Sequence, residues 1–244
     1  VIMVGDMFQL PPIVGSNVSE VYYKMYDTAY FFGAKVMEEV NFEFIELKKV
    51  RRQKDDVFID VLSNIRVGEN IAESIAILNE RCVIQQEPNE GSVVLSPRNA
   101  EVDVRNNTEL RRIRGVEEYS YDGVISGKFK TDRIPTPIFL DLKVGAQVQF
   151  TQNNAEQNVV NGTIAKVIDL HKDYVTVKLL DTNETVIVKR AIWEEYDYRY
   201  DDYKKSVVSV VSGTYEQIPL KLAWASTNHK SQGVSLDKVH LDLG

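Results

Sequence analysis

Apolar residues along this chain recur with two different periods, and the change of period divides it. Val57, Phe58, Val61, Leu62 and Ile65 follow Asp55 at helical spacing, and Gly68 stands where such a helix would end. A second helix is predicted from about Ile71 to Arg81, burying Ile71, Ile75 and Leu78. Val1 to Val4, followed by Gly5-Asp6, reads as a buried strand delivering a loop, and Pro11-Pro12 blocks any immediate helix. Ser92 to Ser96 is a short apolar strand, and Pro97 with the segment from Asn99 to Ile113 predicts a helix behind it. Residues 115–137 show no period and read as a long irregular connection. From Leu142 the period falls to two, in strands over 146–150, 163–170, 174–180 and 185–189 separated by Asn161-Gly162, Lys172-Asp173 and Asp181-Thr182-Asn183. Turns at such short intervals predict a small antiparallel barrel. Leu220 to Ala225 and Lys238 to Leu243 resume buried strands. The pattern is that of an α/β domain carrying an all-β insert.

Composition narrows the class. With 43% apolar residues among 244, the chain can bury a core. No apolar run reaches the length of a membrane span, so a soluble, cytoplasmic protein is expected. One cysteine, Cys82, and three scattered histidines, His171, His229 and His240, offer no metal-ligand spacing, and no metal site is predicted. The net charge of −7 argues against binding polyanions by global attraction. Charge is segregated, however: Lys48, Lys49, Arg51, Arg52 and Lys54 cluster, whereas Glu194, Glu195, Asp197, Asp201 and Asp202 gather elsewhere. The chain opens inside an apolar run without a start methionine and stops just after a strand-like pattern, which reads as an excerpt from a longer protein.

Three segments concentrate chemistry. Gly5-Asp6-Met7-Phe8-Gln9-Leu10-Pro11-Pro12 sets a carboxylate and an amide on a loop directly after a strand. A glutamine there can donate to a phosphate oxygen or orient water; a polar turn closed by prolines is the plainer alternative. Leu47 to Gln53 carries arginines ahead of a helix, suited to bidentate contact with a phosphoryl group, or simply to a solvated surface. The run from Leu220 through Thr227-Asn228-His229-Lys230-Ser231-Gln232-Gly233 delivers hydroxyls, an imidazole, an ammonium and an amide at the end of a buried strand. A core would not tolerate that density of polar groups, although an ordinary strand-to-helix loop would. The tyrosine-rich stretch 193–203 is interleaved with carboxylates that repel phosphate, so it reads as a barrel edge or contact surface rather than a base-stacking platform.

In this order, Gly-Asp-x-x-Gln-Leu-Pro-Pro, an Arg-Gln pair before a helix, and Ala-x-Thr-x-His-Lys-Ser-Gln-Gly resemble motifs III, IV and V of superfamily 1B DNA helicases of the RecD-like and Pif-type group. Pro97 to Asn106 resembles that group's additional DNA-side motif, and Leu142 to Ala146 with Asn161-Gly162-Thr163 resembles the start of its inserted SH3-like barrel. Arg51 stands where the group has an aromatic residue, Asn228 where it has a β-branched one and Ala165 where the barrel has glycine.

The resemblance implies an incomplete RecA-like (P-loop NTPase-type) parallel-sheet fold. Residues 1–45 would close the first RecA-like domain, 46–141 and 216–244 would belong to the second, and 142–215 would form the barrel. Gln9 would sense the ATP γ-phosphate with Asp6 on the same loop, and Arg52 would be the arginine finger. Gln232 and Gly233 would face nucleotide, while Thr227, His229, Lys230 and Ser231, with Ser96 and Asn99, would hold single-stranded DNA. Phe8 and Trp224 are candidates for stacking on bases, but the apolar neighbours of Trp224 make it a core residue. The implied enzyme uses ATP and Mg2+, works 5′ to 3′ on single strands and duplex junctions in repair or recombination, and is monomeric and not membrane-bound. This chain contains no Gly-x-x-x-x-Gly-Lys-Ser/Thr and no Asp-Glu pair, so by itself it should neither hold nucleotide tightly nor hydrolyse it. A DNA-binding or partner-docking module, and an inactive helicase remnant, remain as alternatives.

Overall fold

The computed structural model describes residues 2–9, 11–15, 18–51, 53, 55–82, 88–131, 134–201, 203, 205–232, 234, 236 and 238–242, and for Asp201 and Val207 the backbone only. The chain divides into two compact units, Val1–Gln85 and Gln86–Gly244.

In the first unit, helix α1 (Ser19–Met25) and two 3-10 turns, Phe31–Gly33 and Lys35–Glu38, precede α2 (Asp56–Val67) and α3 (Ile71–Arg81). The start of α2 is fixed by the Asp55 carboxylate, which accepts the Phe58 N–H at 3.0 Å. Gly68 ends it in the left-handed conformation at φ 79°, as its position in the sequence predicts. Arg81, in the last turn of α3, reaches the same Asp55 carboxylate at 2.6 Å and holds its pKa below the usual value. One side chain thus caps α2 and ties it to α3.

Two expectations fail here. Residues 2–6 form no strand, and Val4 is 89% exposed, because a strand exists only where a neighbour takes its hydrogen bonds and the described residues of this unit contain no other strand. In α3 the predicted apolar face is present, but Ile71 and Ile75 are exposed and Leu78 is only partly buried; Ser74 is the buried residue. Helical spacing gathers a face without determining what covers it.

The second unit begins with β1 (Val93–Ser96), α4 (Asn99–Arg112), β2 (Glu118–Asp122), β3 (Val124–Gly127) and β4 (Phe139–Lys143). It continues through β5 (Gln147–Phe150), β6 (Ile164–Leu170), β7 (Tyr174–Leu179), β8 (Thr185–Lys189), β9 (Ala191–Asp201) and β10 (Ser206–Gln217). It closes with β11 (Leu220–Leu222), β12 (Ala225–Thr227), α5 (Asn228–Ser231) and β13 (Val239–Leu241). A parallel sheet, ordered β12-β1-β13, makes this an α/β protein as expected. Consecutive Val93 and Val94 are both about 2% exposed, so β1 is covered on both faces, as parallel strands are.

The short alternating strands pair antiparallel in the order β11-β5-β6-β7-β8. Their inward residues, among them Val148, Phe150, Val167, Val175 and Val177, form one core with Leu110 of α4. No ladder joins β8 to β11 among the described residues, so hydrogen bonding does not close this sheet into a ring. Leu220 to Ala225 is not one strand: β11 joins this sheet, while β12 starts the parallel one. The stretch 115–137 is not irregular either. It contains β2, paired with β4, and β3, paired with β10. Alternation in β2 is carried by Tyr119 and Tyr121, whose rings turn inward despite their polar hydroxyls, whereas β3 is exposed throughout and has no apolar pattern to read. The tyrosine-rich stretch lies in β9, which pairs with β10 in a long antiparallel ribbon.

Tyr121 is 1% exposed and its hydroxyl donates to the His171 carbonyl at 2.8 Å. Burial, with a smaller effect of Tyr119, pushes its pKa up from 10.0 to about 12. Since the fold favours the neutral phenol, this stabilisation is complete below pH 10 and is lost as pH rises through about 12. Tyr121→Phe is expected to cost about 1 kcal/mol at neutral pH through its lost hydrogen bond. Urea denaturation across alkaline pH should show the variant losing stability less steeply than the parent between pH 10 and 12.

Candidate nucleic-acid interface

The two segments singled out for DNA are far apart in sequence but adjacent in the parallel sheet. β1 and β12 run side by side with Val94 opposite Ala225, Leu95 opposite Ser226 and Ser96 opposite Thr227. Both strands therefore end together, and their carboxyl ends lead into α4 and α5, the position at which open α/β sheets bind ligands.

At the end of β12, Thr227 is 4% exposed and its hydroxyl oxygen accepts the Lys230 N–H at 3.4 Å, capping the short helix. The Ser231 hydroxyl donates to the Asn228 carbonyl at 2.9 Å. This tight turn leaves His229, Lys230 and Gln232 exposed and Ser231 partly buried. At the end of β1, Ser96 is buried; its hydroxyl donates to Glu101 Oε2 and accepts the Arg98 N–H at 3.4 Å. Glu101 also meets Arg98 at 3.3 Å, so the turn into α4 is tied at both ends and presents Asn99 to solvent. Trp224, partly buried, packs on the apolar core, as the sequence predicts.

A residue to which the sequence reading gave no role of its own fixes this arrangement. Asn106 of α4 is 8% exposed; its Nδ2 donates to the Ala225 carbonyl at 3.1 Å and its Oδ1 accepts the Ala225 N–H at 2.9 Å. Because the Val94 N–H bonds to the Trp224 carbonyl, Ala225's own polar groups are left for Asn106, which acts in place of a neighbouring strand. The signal was present as a buried-face asparagine one turn before Leu110.

In the first unit, the Asp6 carboxylate organises its loop. It accepts the Phe8 N–H at 3.0 Å, Gln9 Nε2 at 3.4 Å and Arg66 Nη2 at 2.6 Å. The Arg66 guanidinium also lies 4.8 Å from the centre of the exposed Phe8 ring. Asp6 and Gln9 thus come together as the sequence predicts, with Arg66 as a third member that no local signal announces. Arg52 and Gly233 lie outside the described residues. Among the described residues no group of three His, Cys, Asp or Glu side chains converges as a metal site would require.

No family model matches the chain. The ATP-dependent DNA helicase Pif1 of Bdellovibrio bacteriovorus is 32% identical over 248 residues, a match covering all of this chain and 52% of that protein. The ATP-dependent DNA helicase PIF1 of Danio rerio is 30% identical over 260 residues, covering 99% of this chain and 36% of its own length. The structure of Bacteroides sp. Pif1 in complex with ADP-AlF4 matches 98% of this chain and 55% of that one, with 33% identity and a TM-score of 0.85. The chain belongs to the Pif1-type helicases of superfamily 1B. It spans about half the length of the bacterial relative, or less of the vertebrate one. Bacteroides Pif1 bound to ssDNA also matches, at 33% identity and a TM-score of 0.61 over 97% of this chain.

Within this Pif1-type chain, the paired strand ends depend on the Asn106 clamp. Asn106→Leu leaves the Ala225 N–H and carbonyl buried without partners and is expected to lower stability by about 2–3 kcal/mol. Chemical denaturation measures it, and a loss below about 0.5 kcal/mol, the range of unimportant surface changes, would show the clamp to be dispensable.

Proposed function

We propose that this chain is part of an ATP-dependent DNA helicase that couples ATP hydrolysis to movement along single-stranded DNA, 5′ to 3′, and to unwinding at duplex junctions, acting as a monomer. The observation that carries the reading is the side-by-side ending of β1 and β12, which sets Asn99, His229, Lys230 and Ser231 on one rim of a buried parallel sheet. Polar side chains at that rim grip the sugar-phosphate backbone without reading bases, as a motor that must move along any sequence requires. Thr227 shapes the rim by capping, and Ser96 by holding Glu101. The antiparallel meander within 142–215 is, in this reading, the group's SH3-like barrel, joined to residues that extend the RecA-like fold.

ATP with Mg2+ supplies the energy in the complete enzyme. Gln9 and Arg52 answer to its γ-phosphate, and Gln232 and Gly233 to the bound nucleotide. Asp6 is better assigned as a positioning residue, since its carboxylate is already taken by Arg66, Phe8 and Gln9. Lacking a phosphate-binding loop and an Asp-Glu pair, this chain should show no DNA-stimulated ATP hydrolysis alone, and turnover in a clean preparation would refute that. It should still bind oligo(dT) in a salt-dependent manner, and His229→Ala combined with Ser231→Ala should weaken that binding several-fold. Fluorescence anisotropy across a salt series decides; unchanged affinity would remove the rim from the DNA path.

Partner docking is a second reading with its own observation. Tyr196, Tyr198 and Tyr200 alternate along β9 and are 45%, 75% and 62% exposed. The carboxylates among them disfavour DNA, so Tyr198→Ser with Tyr200→Ser should leave oligo(dT) affinity unchanged. A clear loss would place DNA on the ribbon instead.

A further inference from the structure

Gln147 and Gln149 project from the same face of β5, and the chain treats them oppositely. Gln147 Nε2 donates to the Ser92 carbonyl at 3.0 Å and to the Ala223 carbonyl at 2.9 Å. Gln149 is 4% exposed, yet its amide makes no hydrogen bond among the described residues. Thr151, next on that face, is 8% exposed, and its hydroxyl is buried without a partner. Polar groups this far inside a fold ordinarily find partners there.

The residue opposite Gln149 in the ladder is Lys221 of β11. Directly opposed residues of antiparallel strands share a face, so the Lys221 side chain rises beside the Gln149 amide. Leu220 and Leu222 turn the other way, into the core, and hold the lysine stem in place. The Lys221 ammonium is partly buried and has neither an ion pair nor a hydrogen bond among the described residues. The charge that acts on it is another cation, Lys230, on the turn after β12. Desolvation first, and Lys230 second, lower the Lys221 pKa. Lys230 likewise has no carboxylate partner among the described residues. The following segment returns to this sheet: a Cβ at Gly162 would come within 2.5 Å of Val234 Cγ1.

Two neighbouring cations without counterions, above an amide and a hydroxyl without partners, form an incomplete arrangement in a chain whose net charge is −7. A tetrahedral oxyanion supplies what is missing, accepting from the ammonium groups and the amide together. We propose that Lys221, Gln149 and Lys230 seat a phosphate of single-stranded DNA, extending the contact from the Thr227–Ser231 rim onto the antiparallel sheet. The proposal rests on the DNA-binding reading above. A free phosphate or a nucleotide has the same chemistry, but Lys230 belongs to the rim assigned to the strand, so the next phosphodiester along that strand is the occupant.

The experiment compares the chain with its Lys221→Met, Lys221→Arg, Gln149→Glu and His229→Ala variants by oligo(dT) anisotropy across a salt series. Thermal melting, with and without inorganic phosphate, runs in parallel. Lys221→Met should weaken oligo(dT) binding about five- to tenfold near 0.1 M salt and reduce the salt slope by about one, while Lys221→Arg keeps both. Gln149→Glu places a tethered carboxylate in the seat, so it should weaken binding while leaving the melting temperature unchanged or raised, the reverse of what a structural role would give. Wild-type binding in both Lys221→Met and Gln149→Glu, with binding lost in His229→Ala, would overturn the seat and leave the helicase reading intact. Wild-type binding in all variants would overturn both. If Lys221→Met abolishes stabilisation by inorganic phosphate but leaves oligo(dT) binding intact, the seat serves a free anion and the DNA assignment fails.

Discussion

The bond pair between Asn106 and Ala225 is the constraint on which the rim proposed to face DNA depends. β12 is only three residues long and, among the described residues, lies at the edge of its sheet, paired with β1 alone. Such a strand has little intrinsic persistence, and its outward backbone groups would need water that a buried edge does not admit. The asparagine supplies the missing neighbour from a helix. Because α4 itself starts at the end of β1, the same helix that orients Asn99 also fixes the strand leading to His229 and Lys230. Helix, central strand and edge strand thus form one closed mechanical unit, and neither half of the rim can shift without the other.

Buried amides recur as pins elsewhere in the second unit. Gln217, fully buried, donates to the carbonyls of Tyr121 at 2.7 Å and Ile138 at 3.0 Å, while its oxygen accepts the Ile218 N–H at 2.8 Å. Gln147 does similar work between β5 and the chain on either side of it. In each case a polar side chain satisfies backbone groups where separate sheets meet and no regular ladder can form. Against that background the unpaired Gln149 stands apart: the same residue type, two positions along one strand, serves the fold in one case and is left open in the other.

Local features were legible in the sequence to within a residue or two. Gly68 and Asp55 mark the limits of α2 because capping depends on single residues and their immediate neighbours, and the two-residue period found β5 to β8 because one face of each strand meets the core. What failed depended on distant parts of the chain. Ile71 and Ile75 have the right spacing, but burial is a property of the neighbour. Val4 lies in an apolar run, but pairing needs a second strand. β3 has no pattern because it owes its existence to β10. The candidate site divides in the same way: Asp6, Gln9 and the Thr227–Ser231 turn could be read from motif order, whereas Arg66, Asn106 and Lys221 acquire meaning only through partners that folding brings near.

A net charge of −7 and the proposed grip on a polyanion are compatible for a reason that also bears on the proposed movement. Near physiological salt the screening length is about 8–10 Å, so the sum over the whole chain matters little and the charges in contact matter most. Here the acidic residues concentrate along β9, in the sheet β3-β10-β9, while His229 and Lys230 follow β12 in α5 and Lys221 lies within β11, in other sheets. In the proposed motor, global repulsion with a few local attractions would disfavour indiscriminate adhesion to duplex DNA and would limit the number of phosphate contacts to be broken at each step. Each such contact is individually weak and salt-sensitive, so a strand held this way can be released and regripped in small increments. A uniformly basic surface would bind more tightly and move less readily.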